Sequence, residues 1–450
     1  MDSVAMVLTA AIGVLSLVSA ATRGVAAPIF LWNVAHVVGL TLPFSLYYFG
    51  VQVSAHGFVD LHRENGEEIA RLAVLCSAAV LVTNAFVYWM PSYSRGQHLA
   101  PRRVEHHPAP RETMVAVLVW FACMGIGALL VSRTLGSFTE GFALLSTKVY
   151  TPLAGQTYIL LPFTLAQLVV IALGVEIATE PRVGVRKMLI VGALIVITMM
   201  VMLGVGSRSK ALQTILIPAL VFMARQPLGS KVVLGAVAPL LIFAVSWVGL
   251  ELRSSDPNRS AREFNVIDAA SGFSSSYAIL DQLWIVQRYV EAYGSQSSKY
   301  ILDYASIFVP RSLWLEKPFS PHLELRWFLY GDTQGGITPG YYGEFYYYFG
   351  NIGFLFGAII AGLILVMLGR RVARSIRERR PDVLVFFWSF IVGLEAPRDS
   401  MFVVAFHLIV GAIFLKVFQS TRSVVSRSLQ FNPLSNTRAP IGQVFGEHQL

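Results

Sequence analysis

The chain reads as an all-α, polytopic membrane bundle, and three observations predict that class. Charged residues make up only 14% of its 450 residues and 55% are hydrophobic, whereas a soluble domain carries roughly 25% charge. The apolar residues gather in runs of about 20, the length that crosses a hydrocarbon core as a helix. Most Lys and Arg fall in short stretches between those runs. Membrane orientation puts them there, so the net charge of +9 does not indicate a nucleic-acid partner.

Taken in order, eleven spans are expected at about 3–22, 25–49, 68–90, 113–132, 156–178, 188–206, 210–224, 231–250, 341–369, 382–396 and 400–418. The seventh and tenth are short. The first run has no positive n-region, so it reads as a retained span rather than a cleaved signal. An odd count places the termini on opposite sides. On one side fall 91–112, 180–187, 369–382, Arg23, Arg225, Lys231, Lys416 and the tail, which together hold 20 of the 35 Lys and Arg. The positive-inside rule makes that side cytoplasmic, so the chain starts outside and ends inside. Residues 1–250 thus form eight spans with short loops, 251–340 a large outer loop, 341–418 three further spans, and 419–450 a disordered cytoplasmic tail. Cys76 and Cys123 both lie in apolar spans, which argues against a disulfide framework or a Cys-based metal site.

The large outer loop has internal order. In "SYAILDQLWIVQRYVEAYG" (276–294), Ile279, Leu283, Val286 and Val290 recur at helical spacing with Asp281, Gln282, Arg288 and Glu291 elsewhere. That pattern predicts an amphipathic helix on the membrane face or against the bundle. "RSSDPNRSAREFN" before it is turn-rich. "VPRSLWLEKPFSPHLELRWFLYGDTQGGITPG" after it has prolines, glycines and aromatics without a strong period, as an ordered binding loop does.

Cations collect on the outer side: Arg208 and Lys210 in the turn "GSRSK", Arg253, Arg311 and Lys317 in "PRSLWLEKP", Arg326, and Arg398 in "EAPRDSM". Arg offers a planar fork of donors to phosphate and Lys a point charge. A lipid-linked diphosphate would sit at this depth, so Arg208, Arg253, Arg311 and Arg398 are expected to converge on one. The plainer alternative is that each pairs with a neighbouring carboxylate or a lipid phosphate.

A general base is expected among Glu251, Glu316, Glu324, Asp332, Glu344, Glu395 and His322. Glu344 stands out as the one carboxylate among the aromatics of "TPGYYGEFYYYFGNIG", although a structural ion pair would explain it equally well. Tyr341, Tyr342, Tyr346, Tyr347 and Tyr348 suit sugar stacking or, more simply, an interfacial belt. His36 and His407 lie within spans, where packed neutral histidines are commoner than relay groups. There is no D-x-D, no P-loop and no H-E-x-x-H, so no metal or nucleotide cofactor is expected.

Four local features resemble the Wzy-type O-antigen and oligosaccharide repeat-unit polymerases of bacterial inner membranes. They are "GSRSKAL" opening a span, "ELR" beginning the long loop, the stretch from "VPRSLWLEKP" to "GGITPGYYGEFYYYFGNIGFLFGAIIAGLI", and Arg398 in a short outer turn. The match is clearest over 301–365. The resemblance implies a multi-pass inner-membrane enzyme with its active site facing the periplasm. It would act as a metal-independent glycosyltransferase whose donor is a growing glycan on undecaprenyl diphosphate, and whose acceptor is a sugar hydroxyl of a new lipid-linked repeat. Arg208, Arg311 and Arg398 would stabilise the leaving diphosphate, Arg253 and Lys317 would help hold it, and Glu344 or His322 would activate the acceptor. Arg326, Lys210 and Tyr341 complete the expected substrate-binding set. The implied partners are the lipid-linked oligosaccharide, membrane lipid and a chain-length regulator protein.

Two other functions share parts of this pattern. An O-antigen ligase has the same leaving group but transfers glycan to lipid A core, and His322 keeps that option open. A lipid-linked oligosaccharide flippase or other transporter should carry ionisable groups along a mid-membrane path or internal repeats. Here the charges gather at one face.

Overall fold

The computed structural model describes residues 2–24, 27–49, 66–90, 110–146, 157–180, 183–205, 207–226, 279–306, 309, 313–314, 316–332, 336–378 and 382–430. All regular structure among them is helical. In chain order the α-helices are α1 (Asp2–Arg23), α2 (Pro28–His36), α3 (Leu42–Tyr48), α4 (Gly66–Trp89), α5 (Pro110–Leu135), α6 (Phe138–Ser146), α7 (Leu161–Thr179), α8 (Val185–Gly204), α9 (Arg208–Arg225), α10 (Ile279–Tyr293), α11 (Tyr300–Ala305), α12 (Pro321–Tyr330), α13 (Tyr341–Phe349), α14 (Asn351–Arg377), α15 (Val383–Phe390) and α16 (Met401–Gln430). One π-helical segment, Val37–Thr41, joins α2 to α3, and another, Ile391–Glu395, extends α15.

Eight helices among the described residues are long and apolar enough to cross a membrane: Asp2–Arg23, Pro28–Ser45, Gly66–Trp89, Glu112–Leu135, Leu161–Thr179, Val185–Gly204, Asn351–Arg377 and Val403–Val424. The protein is therefore a multi-pass helical bundle, and these eight coincide with eight of the eleven expected spans. The expected span at 210–224 is a helix, α9, but Arg208, Lys210, Gln213 and Arg225 dilute its apolar character. The one at 382–396 is the shorter apolar helix Val383–Glu395. The one at 231–250 lies outside the described residues.

Two boundaries differ from expectation. The segment expected as one span at 341–369 is two helices, broken at Gly350, whose φ of 61° and ψ of −147° only glycine adopts without strain. The crossing helix starts at Asn351, which leaves α13 as a separate nine-residue element. The tail expected to be disordered from 419 is helical as far as Gln430, because α16 continues beyond its apolar part. In the outer segment expected at 133–155, α6 begins with a serine N-cap: Glu140 N donates to the Ser137 hydroxyl, which in turn donates to the Glu140 carboxylate.

The core is tied together by close helix approaches at small residues. A Cβ at Gly174 of α7 would stand 2.5 Å from Pro218 of α9, and one at Gly362 of α14 would stand 2.8 Å from Phe86 of α4. Residues Leu168 to Val175 of α7 are buried on every side, so α7 is a central helix rather than a lipid-facing one. Some polar side chains within the bundle pair across helices. Asn33 and Asn84 exchange amide bonds at 2.9 Å, and Trp120 donates to Thr198 at 2.9 Å. The amphipathic helix appears at Ile279–Tyr293 and packs on the bundle against α4 and α13, burying Ile279, Leu283 and Val286 as its spacing predicts.

Residues assigned to the cytoplasmic side by charge meet one another at one end. Arg422 of α16 bonds both carboxylate oxygens of Glu176 at the end of α7 and lies 3.4 Å from Glu112 at the start of α5. Nearby, Arg225 donates to the Thr179 carbonyl at 2.5 Å.

Candidate functional site

The opposite ends of α7 and α9 carry a buried polar group that joins three distant segments. It starts in the turn at 396–400. Its backbone closes on the Glu395 carbonyl, which accepts from Arg398 N at 3.0 Å and Asp399 N at 2.8 Å. Arg398 and Asp399 are half-buried there, and Ser400 is fully buried.

The first turns of α9 supply the second part. Lys210 Nζ donates to Thr164 Oγ1 of α7 at 2.8 Å, and the Lys210 carbonyl accepts Gln167 Nε2 at 2.7 Å. Gln167 Nε2 also reaches Gln213 Oε1 at 3.2 Å, and Gln213 Nε2 donates to the Glu395 carboxylate. Glu395 and Asp399 each lie in the field of both the Arg398 guanidinium and the Lys210 ammonium. Burial pushes the Asp399 carboxyl up while the Arg398 charge opposes it. Arg208 occupies the first helical position of α9, where unsatisfied backbone N–H groups favour an anion.

Glu344 is the third part. It is 1% exposed and accepts three hydrogen bonds: from Tyr304 OH at 2.6 Å, Ser400 Oγ at 2.8 Å and Met401 N at 2.6 Å. Burial, which disfavours the charged form, pushes its carboxyl up to about 7 against those three donors. Gly340 lets α13 start this close to the turn. Its φ is 70°, and a Cβ there would stand 3.0 Å from both the Pro397 carbonyl and Gln282 Oε1.

A tyrosine-lined carboxylate network adjoins Glu344. Tyr348 OH donates to Asp303 at 2.8 Å, while Glu324 accepts from Tyr289 at 2.8 Å, from Tyr347, and from Lys299 at 3.0 Å. Burial pushes the Asp303 carboxyl up to about 6. Tyr341, Tyr342, Tyr347 and Tyr348 are all at most 1% exposed and pack in the core, Tyr347 and Tyr348 as carboxylate partners. Tyr341 OH donates to the Gly357 carbonyl at 2.9 Å.

Of the residues singled out in the sequence, the structure brings together Lys210, Arg398, Glu395, Glu344 and Tyr341, with Arg208 at the adjoining helix start. Arg253 and Arg311 lie outside the described residues. Lys317 donates to the Val309 carbonyl at 2.9 Å. Arg326 forks onto Asp332 at 2.9 and 3.1 Å and lies 4.3 Å over the Tyr330 ring, which is the local carboxylate pairing considered as its alternative. His322 packs on Gly336 and lies 3.3 Å from Ser320 Oγ. Sequence reasoning missed Gln167, Gln213, Asp303, Tyr304, Asp399 and Ser400. Gln167 and Gln213 did carry a signal, as uncharged polar residues inside otherwise apolar helices. No group of three or more His, Cys, Asp or Glu able to hold a metal ion occurs among the described residues.

Fold and composition thus define a class, the multi-pass helical membrane protein with a buried charged group at one end of its bundle. Among known proteins, no family model matches the chain, and no curated protein or solved structure resembles it significantly.

Proposed function

We propose that the protein is a bacterial inner-membrane polymerase of lipid-linked oligosaccharide repeat units, with its site at the periplasmic end of the bundle. The acceptor sugar hydroxyl attacks the anomeric carbon of the donor glycan, the carbon–oxygen bond to undecaprenyl diphosphate breaks, and the hydroxyl proton passes to a base. The reading is supported above all by one observation: Lys210, Arg398 and Glu344, far apart in sequence, meet around the turn at 396–400. Such a site offers what the reaction needs, fixed cations for a leaving diphosphate beside a carboxyl held near neutrality. The half-buried Tyr304 hydroxyl, which donates to the enclosed Glu344, provides its route to an acceptor proton.

A second reading has an observation of its own. Lys210 and Glu395 place opposite charges between packed helices, with His407 of α16 in electrostatic reach of Lys210, as an ion-coupled translocase of the same lipid would. Deleting the gene in its host and resolving surface polysaccharide on a gel separates the two. Collapse of long chains to a single repeat, not restored by Arg398→Ala, supports the polymerase. Repeat units trapped on the cytoplasmic side support the translocase. Long lipid-linked polymer that is never attached to lipid A core indicates a ligase.

A further inference from the structure

Gln213 has no expected role in the reading above, yet its amide donates a hydrogen bond from α9 to the Glu395 carboxylate. The helical register explains why. Thr164 and Gln167 stand three apart on α7, and Lys210, Gln213 and Thr214 stand three and four apart on α9, so each helix presents one polar strip to the other. Thr164 holds the Lys210 ammonium, Gln167 holds the Lys210 carbonyl and the Gln213 amide oxygen, and the opposite end of that amide is left to donate to Glu395. Gln167, Gln213 and Glu395 are 1%, 3% and 4% exposed. They are shielded from bulk solvent, and these partners set the direction of the amide.

Most of the neighbours in sequence on both helices are apolar, which sets the two amides apart. Ala211 and Leu212 beside Gln213, and Ala166 and Leu168 beside Gln167, are buried apolar residues of the same helices. Polar groups inside a bundle are costly unless paired, so a matched pair of glutamines aimed at one carboxylate is a specific device. Its consequence lies one step further on. Glu395 attracts Arg398 and Lys210 with its carboxylate and closes the turn with its carbonyl. A carboxylate that swung out of place would move the guanidinium with it.

We infer that Gln213 is a positioning residue: by holding Glu395 it sets where Arg398 stands beside the start of α9, and so governs binding of a diphosphate group at that point. The inference rests on the proposed diphosphate chemistry but not on polymerisation itself. Gln213 acts through Glu395 and touches no reacting atom.

The test is a double-mutant cycle on the full chain in lipid nanodiscs, with the affinity for inorganic diphosphate measured by calorimetry. Gln213→Leu weakens binding about tenfold in the native background and less than about twofold in an Arg398→Ala background, since a residue acting through Arg398 has nothing left to position. Gln213→Asn, which keeps an amide on a shorter stem, falls between Leu and the native protein, and it carries the test if the Leu variant does not fold. Three outcomes overturn the inference: no diphosphate binding by the native chain, no effect of either Gln213 variant, or an equal loss in both backgrounds. Extension of lipid-linked repeat units is assayed on the same samples. A cycle as expected without extension sinks the polymerase reading and leaves the positioning role standing, and extension without the cycle does the reverse.

Discussion

Ser400 Oγ donates to Glu344 Oε2 at 2.8 Å, so the turn that carries Arg398 is fastened to the helix that carries the one buried carboxylate of α13. Met401 N donates to the same oxygen at 2.6 Å, and Tyr304 OH to the other at 2.6 Å. One side chain thereby joins α11, α13 and the start of α16.

Replacing Glu344 tests that joint. Glu344→Ala leaves a tyrosine hydroxyl, a serine hydroxyl and a backbone N–H without their acceptor in a buried place. The expected loss is about 2–4 kcal/mol, read as a lowered midpoint of thermal unfolding in detergent. Glu344→Gln keeps an acceptor oxygen and costs less than the Ala change, yet it abolishes polymer extension if Glu344 is the proton acceptor. Full activity of the Gln variant would remove that role.

The pH dependence follows from Glu344, held at about 7, and Asp303, held at about 6, both raised by burial from the ordinary carboxylate range. The folded state therefore binds protons in a window where the unfolded chain has released them. Stability from these groups is complete below their ordinary values, about 4, and is lost as pH rises through 6 and then 7. The unfolding midpoint is expected to be higher at pH 5 than at pH 8, and Glu344→Gln should flatten the upper part of that slope. A midpoint that rises steadily from pH 5 to pH 8 contradicts the assignment.

At the other end of the bundle, Arg422 and Glu176 form a pair with side chains 6% and 16% exposed. Arg422→Ala strands two carboxylates, Glu176 and Glu112, and is expected to destabilise by about 3–5 kcal/mol. The steady-state amount of protein in the membrane should drop, whereas activity per molecule stays unchanged.

Gly340→Ala imposes a φ of 70° on a residue with a Cβ and sets that Cβ 3.0 Å from a backbone carbonyl oxygen. The strain is expected to cost about 1–3 kcal/mol. It should also push α13 away from the turn at 397–398, with activity falling further than stability. Comparing that variant with Gly294→Ala separates the two effects, since Gly294 has φ of 74° but nothing within 4 Å of its Cβ.

The sequence alone determined that the chain is a helical membrane bundle, where its eight principal crossing helices lie, and which residues between the spans carry charge. These are properties of runs: hydrophobic length, the gathering of cations in loops, and the period of Ile279, Leu283 and Val286 are all local. Tertiary structure decided what those residues do. It set Arg326 on Asp332 and buried the tyrosines of α13. It broke the chain at Gly350 and brought Gln213, near the start of one helix, to Glu395 at the end of another. An amide or a guanidinium in a sequence is only a capacity to bond. Its partner is chosen by which helices pack together, and that depends on close approaches such as Gly174 against Pro218, which no local pattern encodes.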